Sequence, residues 1–500
     1  MDFIDPHKKR ASKIKLLVGY VLIACGIIMT TLVLVYQANG YTFDKNGQLI
    51  QKGLVFVNST PNPATIYLNG VMNKAQTNVR LNLEAGQYTL RLNRTGYRSW
   101  QRGIGVEGGS VERFDYPFLF PSKLITTNEQ AYSAQPGLIL QSPSRQWLLV
   151  QDTVTDTTFD EYDLSNPKQI KTTTPTVSIP STIAIPTTPA ASWQLVGWSN
   201  DNQHVLLDRV LNGVNDYILF DRQSPDQSVD LTKTLNLNNT TLPSFDNNHY
   251  DQYFLLDTAA HTLSSATLTS PQPTVLLDHV LAYKSYGNNV FLYVTDSGAP
   301  AGKVVVRMLQ DSTTYTLRDL QAGATTYVLN LTQYNGDWYV LAGDSSEDKT
   351  YVYEDPQTVL NTEPSTPLVP LNILKVGLPN FAAFSANAQF IMVENGASFG
   401  VYDVRNDKAY AYDLTLPVAA GQHAMWMDGD RLMLVAGGKV VIFDYDDANQ
   451  QSLQPAVGIQ SYFDQNYKWS YVIAPNADPT TASTAPFELT QTSMLIPADQ

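Results

Sequence analysis

"SPSRQWLLV" (Ser142–Val150) is a polar turn that feeds directly into an apolar strand, and the pattern returns. "SNDNQHVLL" begins at Ser199 and "SANAQFIMV" at Ser385, so Ser142 and Gln146, Ser199 and Gln203, and Ser385 and Gln389 hold equivalent places. Small polar residues before an aromatic or β-branched run mark the entry to a strand. "NHYDQYFLL", "YGNNVFLYV", "YNGDWYVLA", "WMDGDRLMLV" and "QNYKWSYVI" are looser copies. Their centres fall near Trp147, Val205, Tyr253, Phe291, Trp338, Phe390, Leu432 and Trp469, about 46 residues apart, against ~40–45 for the four-stranded blades of WD40 repeats. Several units continue into a strand that ends in aspartate and turns back, as in "YILFDRQS" and "FGVYDVRNDKAYAYDL". The spacing predicts a β-propeller of seven or eight blades over residues 124–473.

The serine-led turns resemble the Ser-Pro-Asp-Gly turns of TolB-type propellers, although the Asp-Gly pair is missing here. Two stretches break the rhythm. Residues 172–192 hold four prolines and no charge, which reads as an extended loop between the first two blades. Residues 474–500 read as a tail in which "FELTQTSML" could supply a ring-closing strand.

Composition supports a mainly β protein. The chain has 500 residues, enough for about two or three domains, with only 16% charged residues and 28 tyrosines. Leu16–Tyr36 has no charged residue and, as a helix, is long enough to cross a bilayer core of ~30 Å. Lys8, Lys9, Arg10, Lys13 and Lys15 precede it, so the positive-inside rule leaves residues 1–15 as a cytoplasmic basic tail and everything after the helix extracellular or periplasmic. "LIAC" before Gly26 resembles a lipobox, but the apolar run continues past Cys25, which favours an uncleaved anchor over a lipidated cysteine. With one cysteine no internal disulfide forms. The first fifteen residues carry +3 of the net −14, leaving −17 on the remainder; such an ectodomain is repelled by nucleic acid and by anionic lipid.

Residues 41–121 form a separate module. "YTFDKNGQLIQKG" (Tyr41–Gly53) places Asn-Gly between two apolar-alternating arms, the signature of a hairpin; its Asp-x-Asn-Gly lacks the later ligands of a calcium loop. "VNSTPNPATIYLNG" (Val57–Gly70) and "VRLNLEAGQYTLRLNRTGYRSW" (Val79–Trp100) alternate with period two. These residues resemble the PEGA domain through Ser59 and Pro61, the Asn69-Gly70 turn, Gly86 and Tyr88, Gly96 and Tyr97, and Trp100. The tetrapeptide that names the family stands as Glu84-Ala85-Gly86-Gln87, without its first proline. The resemblance implies a small non-catalytic β-sandwich of bacterial envelope proteins, here a collar between membrane and propeller.

Catalytic patterns have ordinary readings. "GASFG" (Gly396–Gly400) matches a nucleophile elbow in letters, but it lies between two strands rather than strand and helix, so Ser398 reads as a hairpin residue. "DEYD" (Asp160–Asp163) and "DYDD" (Asp444–Asp447) could supply paired acids for a glycosidase or calcium, yet both sit at strand ends where solvated turns occur. His7, His204, His249, His261, His279 and His423 show no zinc spacing, and "GIGVEGG" has no lysine-serine continuation. Trp193, Trp198, Trp338 and Trp426 are expected between blades. No catalytic residue, metal or cofactor is expected.

The sequence therefore reads as a membrane-anchored bacterial envelope protein, non-catalytic, whose propeller binds a surface protein or a cell-wall polysaccharide and no nucleic acid. The alternatives are a glycan-processing hydrolase or lyase, and an envelope-assembly or signalling factor.

Overall fold

The computed structural model describes residues 6–38, 40–43, 47–152, 157–168, 170, 176–184, 191–287, 289–362, 367–478 and 480–500. The turn of the expected first hairpin, residues 1–5 of the basic tail and, within the Pro/Thr-rich stretch, residues 172–175 and 185–190 lie outside them. Two compact units emerge, Met1–Lys123 with Asp499, and the rest.

In the first unit α1 (Pro6–Ala38) contains the apolar run, and Lys13–Ala38 is long and apolar enough to cross a membrane. Its described side chains from Lys13 onward face outward. Two four-stranded sheets follow. One pairs β1 (Tyr41–Phe43), β2 (Leu49–Val57) and β5 (Val79–Glu84), with β8 (Val111–Phe114) running parallel to β2. The other runs in the order β4 (Val71–Gln76), β3 (Thr65–Leu68), β6 (Gly86–Asn93), β7 (Trp100–Val106). Alternation puts Val55, Val57, Ile66, Leu90, Leu92 and Trp100 inside. Each such side chain contributes roughly 1.5–3 kcal/mol on burial. Asn69 and Gly70 both take positive φ, 50° and 81°, the turn a two-residue hairpin needs.

The second unit contains eight four-stranded sheets among the described residues. Seven are consecutive antiparallel meanders, and the eight centres named above all lie on the second strand of their sheet. The eighth is composite: Val457–Phe463, Trp469–Pro475 and Phe487–Ser493 are joined on the outside by β9 (Ile125–Tyr132), which pairs with Phe487–Ser493. The tail thus supplies a strand, and the unit's two ends share one blade. Thr176–Ser178, inside the stretch expected as an inserted loop, pairs instead as the outer strand of the first blade.

Apolar seams join each blade to the next. Phe159 and Phe220 stack at 5.8 Å between blades 1 and 2, Phe254 and Phe291 meet at 5.0 Å between blades 3 and 4, and Phe390 packs on Tyr445 at 4.1 Å between blades 6 and 7. Trp193, Trp198 and Trp338 are buried in such seams, and Trp426 donates from its indole to Ala383 O at 3.2 Å. Between blades 8 and 1, Tyr462, Tyr471 and Ile473 pack on Leu148, Val150 and Tyr162. Gln141 also donates to Phe463 O and Tyr462 to Ile139 O, each at 2.8 Å. The ring is closed, and the mainly β architecture with eight blades follows.

Candidate functional site

The repeat builds one face of the propeller. Ser142 Oγ accepts the Trp147 N–H and Ser385 Oγ the Phe390 N–H, both at 3.0 Å, so the serine closes the turn before the second strand. Ser199 instead donates to Asn248 O of the next blade at 2.9 Å. Gln203 and Gln389 donate to Asp221 and Asp403, the aspartates that end the third strands of their blades. Gln146 has no such bond to Asp163, whose carboxylate takes the Ser165 N–H at 2.9 Å. Its side chain lines a cleft.

That cleft, about 340 Å³, lies where the first turns of blades 1 and 8 meet. Arg145 and Gln146 come from blade 1, Lys168 from the loop after its third strand, and Asp464, Lys468 and Trp469 from blade 8; Gln500 completes it. Arg145 and Tyr467 hold φ of 59° and 56°, the left-handed fourth position that Asn202 and Ala388 also take in their turns. The Arg145 guanidinium lies 4.4 Å over the Tyr467 ring and donates to Met427 O at 3.1 Å. Asp464 is held as a turn cap by the Trp469 N–H at 2.8 Å. Burial raises its carboxyl, against those N–H groups and the Lys468 charge. Lys168 and Lys468 are exposed. Cations, amides and a half-buried tryptophan in one cleft can hold an anionic, hydroxyl-bearing chain.

A second polar group sits on blade 6. Glu394 is wholly buried, and His423 from the loop entering blade 7 meets it at 2.7 Å while stacking on Phe381 at 4.4 Å. Burial pushes the Glu394 carboxyl up to about 8 and the imidazole down, the Ala424 N–H opposing the first shift.

Several of the other sequence candidates have structural partners. Ser398 donates to Asp413 at 2.6 Å across its hairpin. Asp160 accepts from Tyr132, Glu161 pairs with buried Arg222, Tyr162 bonds Tyr132, and Asp444 accepts from Asn449. His204 is held by Asp201 at 2.6 Å and stacks on Tyr250; His279 meets Asp296 at 2.9 Å. Among the described residues no group of three His, Cys, Asp or Glu side chains is placed to hold a metal.

In the sandwich, Ser59 bonds Pro61 O at 2.9 Å and Thr77 at 2.7 Å, and Gly86 begins β6. Tyr88 donates to Glu84 O at 2.9 Å, and Gly96 has φ of 85°. Tyr97 donates to Asp499 at 2.7 Å, a carboxylate that also pairs with Arg94. Trp100 packs in the core against Phe114. These contacts hold the module's strands and turns together.

Residues 52–119 match the PEGA domain family. No curated protein matches the chain. Among solved structures it is similar to the Dos1 propeller (10% identity, 74% of this chain and 94% of that one, TM-score 0.41). It is also similar to an oligogalacturonate lyase in complex with manganese (10%, 75% and 99%, 0.37) and to the dihydro-heme d1 dehydrogenase NirN (11%, 81% and 76%, 0.39).

Sequence reading missed Lys168, Lys468 and Gln500. The available signal was their rarity: residues 124–500 hold only 17 Lys and Arg against 39 Asp and Glu.

Proposed function

We propose that this is a membrane-anchored bacterial envelope protein whose N-terminus is cytoplasmic and whose propeller binds an anionic cell-wall polymer without chemistry. One observation carries the reading: Arg145, Lys168 and Lys468 converge on one cleft of a unit whose net charge is −22. Acidity over the rest of the surface rejects polyanions, so a local cationic cleft selects where one can dock. The amides of Gln146 and Gln465 and the face of Trp469 suit hydroxyls and sugar rings. The PEGA module supports an envelope setting. The test is co-sedimentation of the chain with isolated wall polymer. Retention should fall with salt and drop at least several-fold in Lys168→Gln/Lys468→Gln; equal retention of both proteins would sink the reading.

A second reading, a glycan-processing enzyme, draws on His423, an imidazole held by a buried carboxyl group as a general base would be. Polysaccharide cleavage abolished by His423→Ala would establish it.

A further inference from the structure

The outer face of the sandwich's first sheet meets the end of α1. Gly40 N donates to Gln37 O at 3.0 Å and Lys52 N to Gly40 O at 2.9 Å, while the rings of Tyr36 and Tyr41 lie 5.1 Å apart. Gly40 has φ of 81°, and a Cβ there would stand 2.9 Å from Lys52 O, so the link is short and suits glycine. A cleft of about 590 Å³ opens at this junction, with Gln37, Thr42, Lys52, Arg80, Asn82 and Val111 in its wall.

Strand register explains the lining. Phe56 pairs with Arg80 and Arg113, Leu54 with Asn82 and Val111, and Lys52 with Glu84. Directly paired residues share a face, so Lys52, Arg80 and Arg113 stand together with Leu54, Phe56 and Val111 between them. Two acids share that face: Glu84, 4.0 Å from Lys52, and Asp115, 3.9 Å from Arg113. No acidic partner holds Arg80 among the described residues. The module as a whole is basic: residues 39–123 hold ten Lys and Arg against five Asp and Glu, in a chain of net −14.

We propose that this face binds the phosphate headgroups of anionic phospholipids in the leaflet from which α1 emerges. The inference rests on the membrane-anchored reading above. A helix that spans the hydrocarbon core brings its end to headgroup depth, and Tyr36 and Tyr41 are the aromatic type found there. The repulsion expected from the acidic chain does not apply at this face, because the acids are concentrated beyond residue 123. Lys52 and Arg80 meet the phosphates while Leu54 and Val111 meet the glycerol and upper acyl region.

The test uses the full chain in bilayers of phosphatidylglycerol and phosphatidylcholine. Resistance to alkaline extraction is measured first, then the lipid retained on protein withdrawn from the bilayer. Phosphatidylglycerol should be enriched over its bulk share, and salt should reduce the enrichment. Each cation near an anionic surface contributes about five-fold in affinity, so Lys52→Gln/Arg80→Gln should return retention to the bulk ratio. Lys74→Gln, on the other sheet, and the charge-preserving Lys52→Arg/Arg80→Lys should keep the enrichment, which separates lost charge from lost fold. Absence of enrichment in the wild type, or its persistence in the glutamine variant, overturns the headgroup site alone. A chain that leaves the bilayer at alkaline pH overturns the anchored reading and this one with it.

Discussion

Replacing Glu394 by glutamine tests a strongly perturbed carboxyl of the propeller directly. In the folded chain burial pushes that carboxyl up to about 8, whereas in the unfolded chain it ionises near its ordinary 4.5. Between those values the folded state holds one more proton than the unfolded one, so stability falls as pH rises. The slope is about 1.4 kcal/mol per pH unit. Accumulated from pH 4.5 to 8, the loss reaches at most about 5 kcal/mol. It is flat below the lower value and flat again above the upper. Glutamine keeps the shape, an oxygen for the Ala424 N–H and a partner for His423, but cannot ionise. The variant should therefore match the wild type to within about 1–2 kcal/mol at pH 5 and exceed it at pH 8. Urea unfolding of both chains, followed by tryptophan fluorescence at several pH values, gives the comparison. Asp430 and Asp208 also have raised carboxyls, at about 7 and about 6, so the difference between the two proteins, rather than either curve, isolates Glu394. A difference that does not change between pH 5 and 8 would refute the argument, because it would mean that the carboxyl titrates alike in both states.

Other perturbations should act through named contacts. Glu161→Ala strands the buried Arg222 guanidinium between blades 1 and 2, and a loss of about 3–5 kcal/mol in chemical denaturation is expected. Ala388, the fourth residue of its turn, has φ of 59°; Ala388→Gly should raise the melting temperature, by up to about 1 kcal/mol in stability, and a lowered one would contradict the turn assignment. Ending the chain after Ala474 removes Phe487–Ser493 and leaves Ile125–Tyr132 unpaired, so limited proteolysis should degrade the propeller rather than trim it.

Much of this fold was legible because period and turn chemistry are local signals. The eight second strands could be placed because Trp147, Phe390, Trp469 and their counterparts begin buried runs after polar turns. The missing Asp-Gly pair also acquires a reason. Arg145, Asn202 and Ala388, at the fourth position of the turn, occupy the left-handed region that glycine fills elsewhere. Outer strands were harder. "ITTNEQAY" is mostly exposed in β9, and "TVS" is too short to show a period. The cleft was not legible at all, since Arg145 and Lys468 lie some 320 residues apart and only ring closure brings them together. Gln146 looked like its repeat partners, and nothing in its neighbourhood announced that its aspartate would be engaged elsewhere.

The shared eighth blade bears on how the protein is made. β9 is synthesised before any other part of the propeller, yet its partner, Phe487–Ser493, follows it by some 350 residues. Blades 1 to 7 can each form as they appear, but no intermediate length offers a closed ring. A chain still on the ribosome keeps β9 and the flank of blade 1 uncovered, and so does one cut short by a premature stop. Closure is thereby coupled to synthesis of Phe487–Ser493, and a proofreading protease needs only to recognise one open strand edge to tell closed rings from open ones.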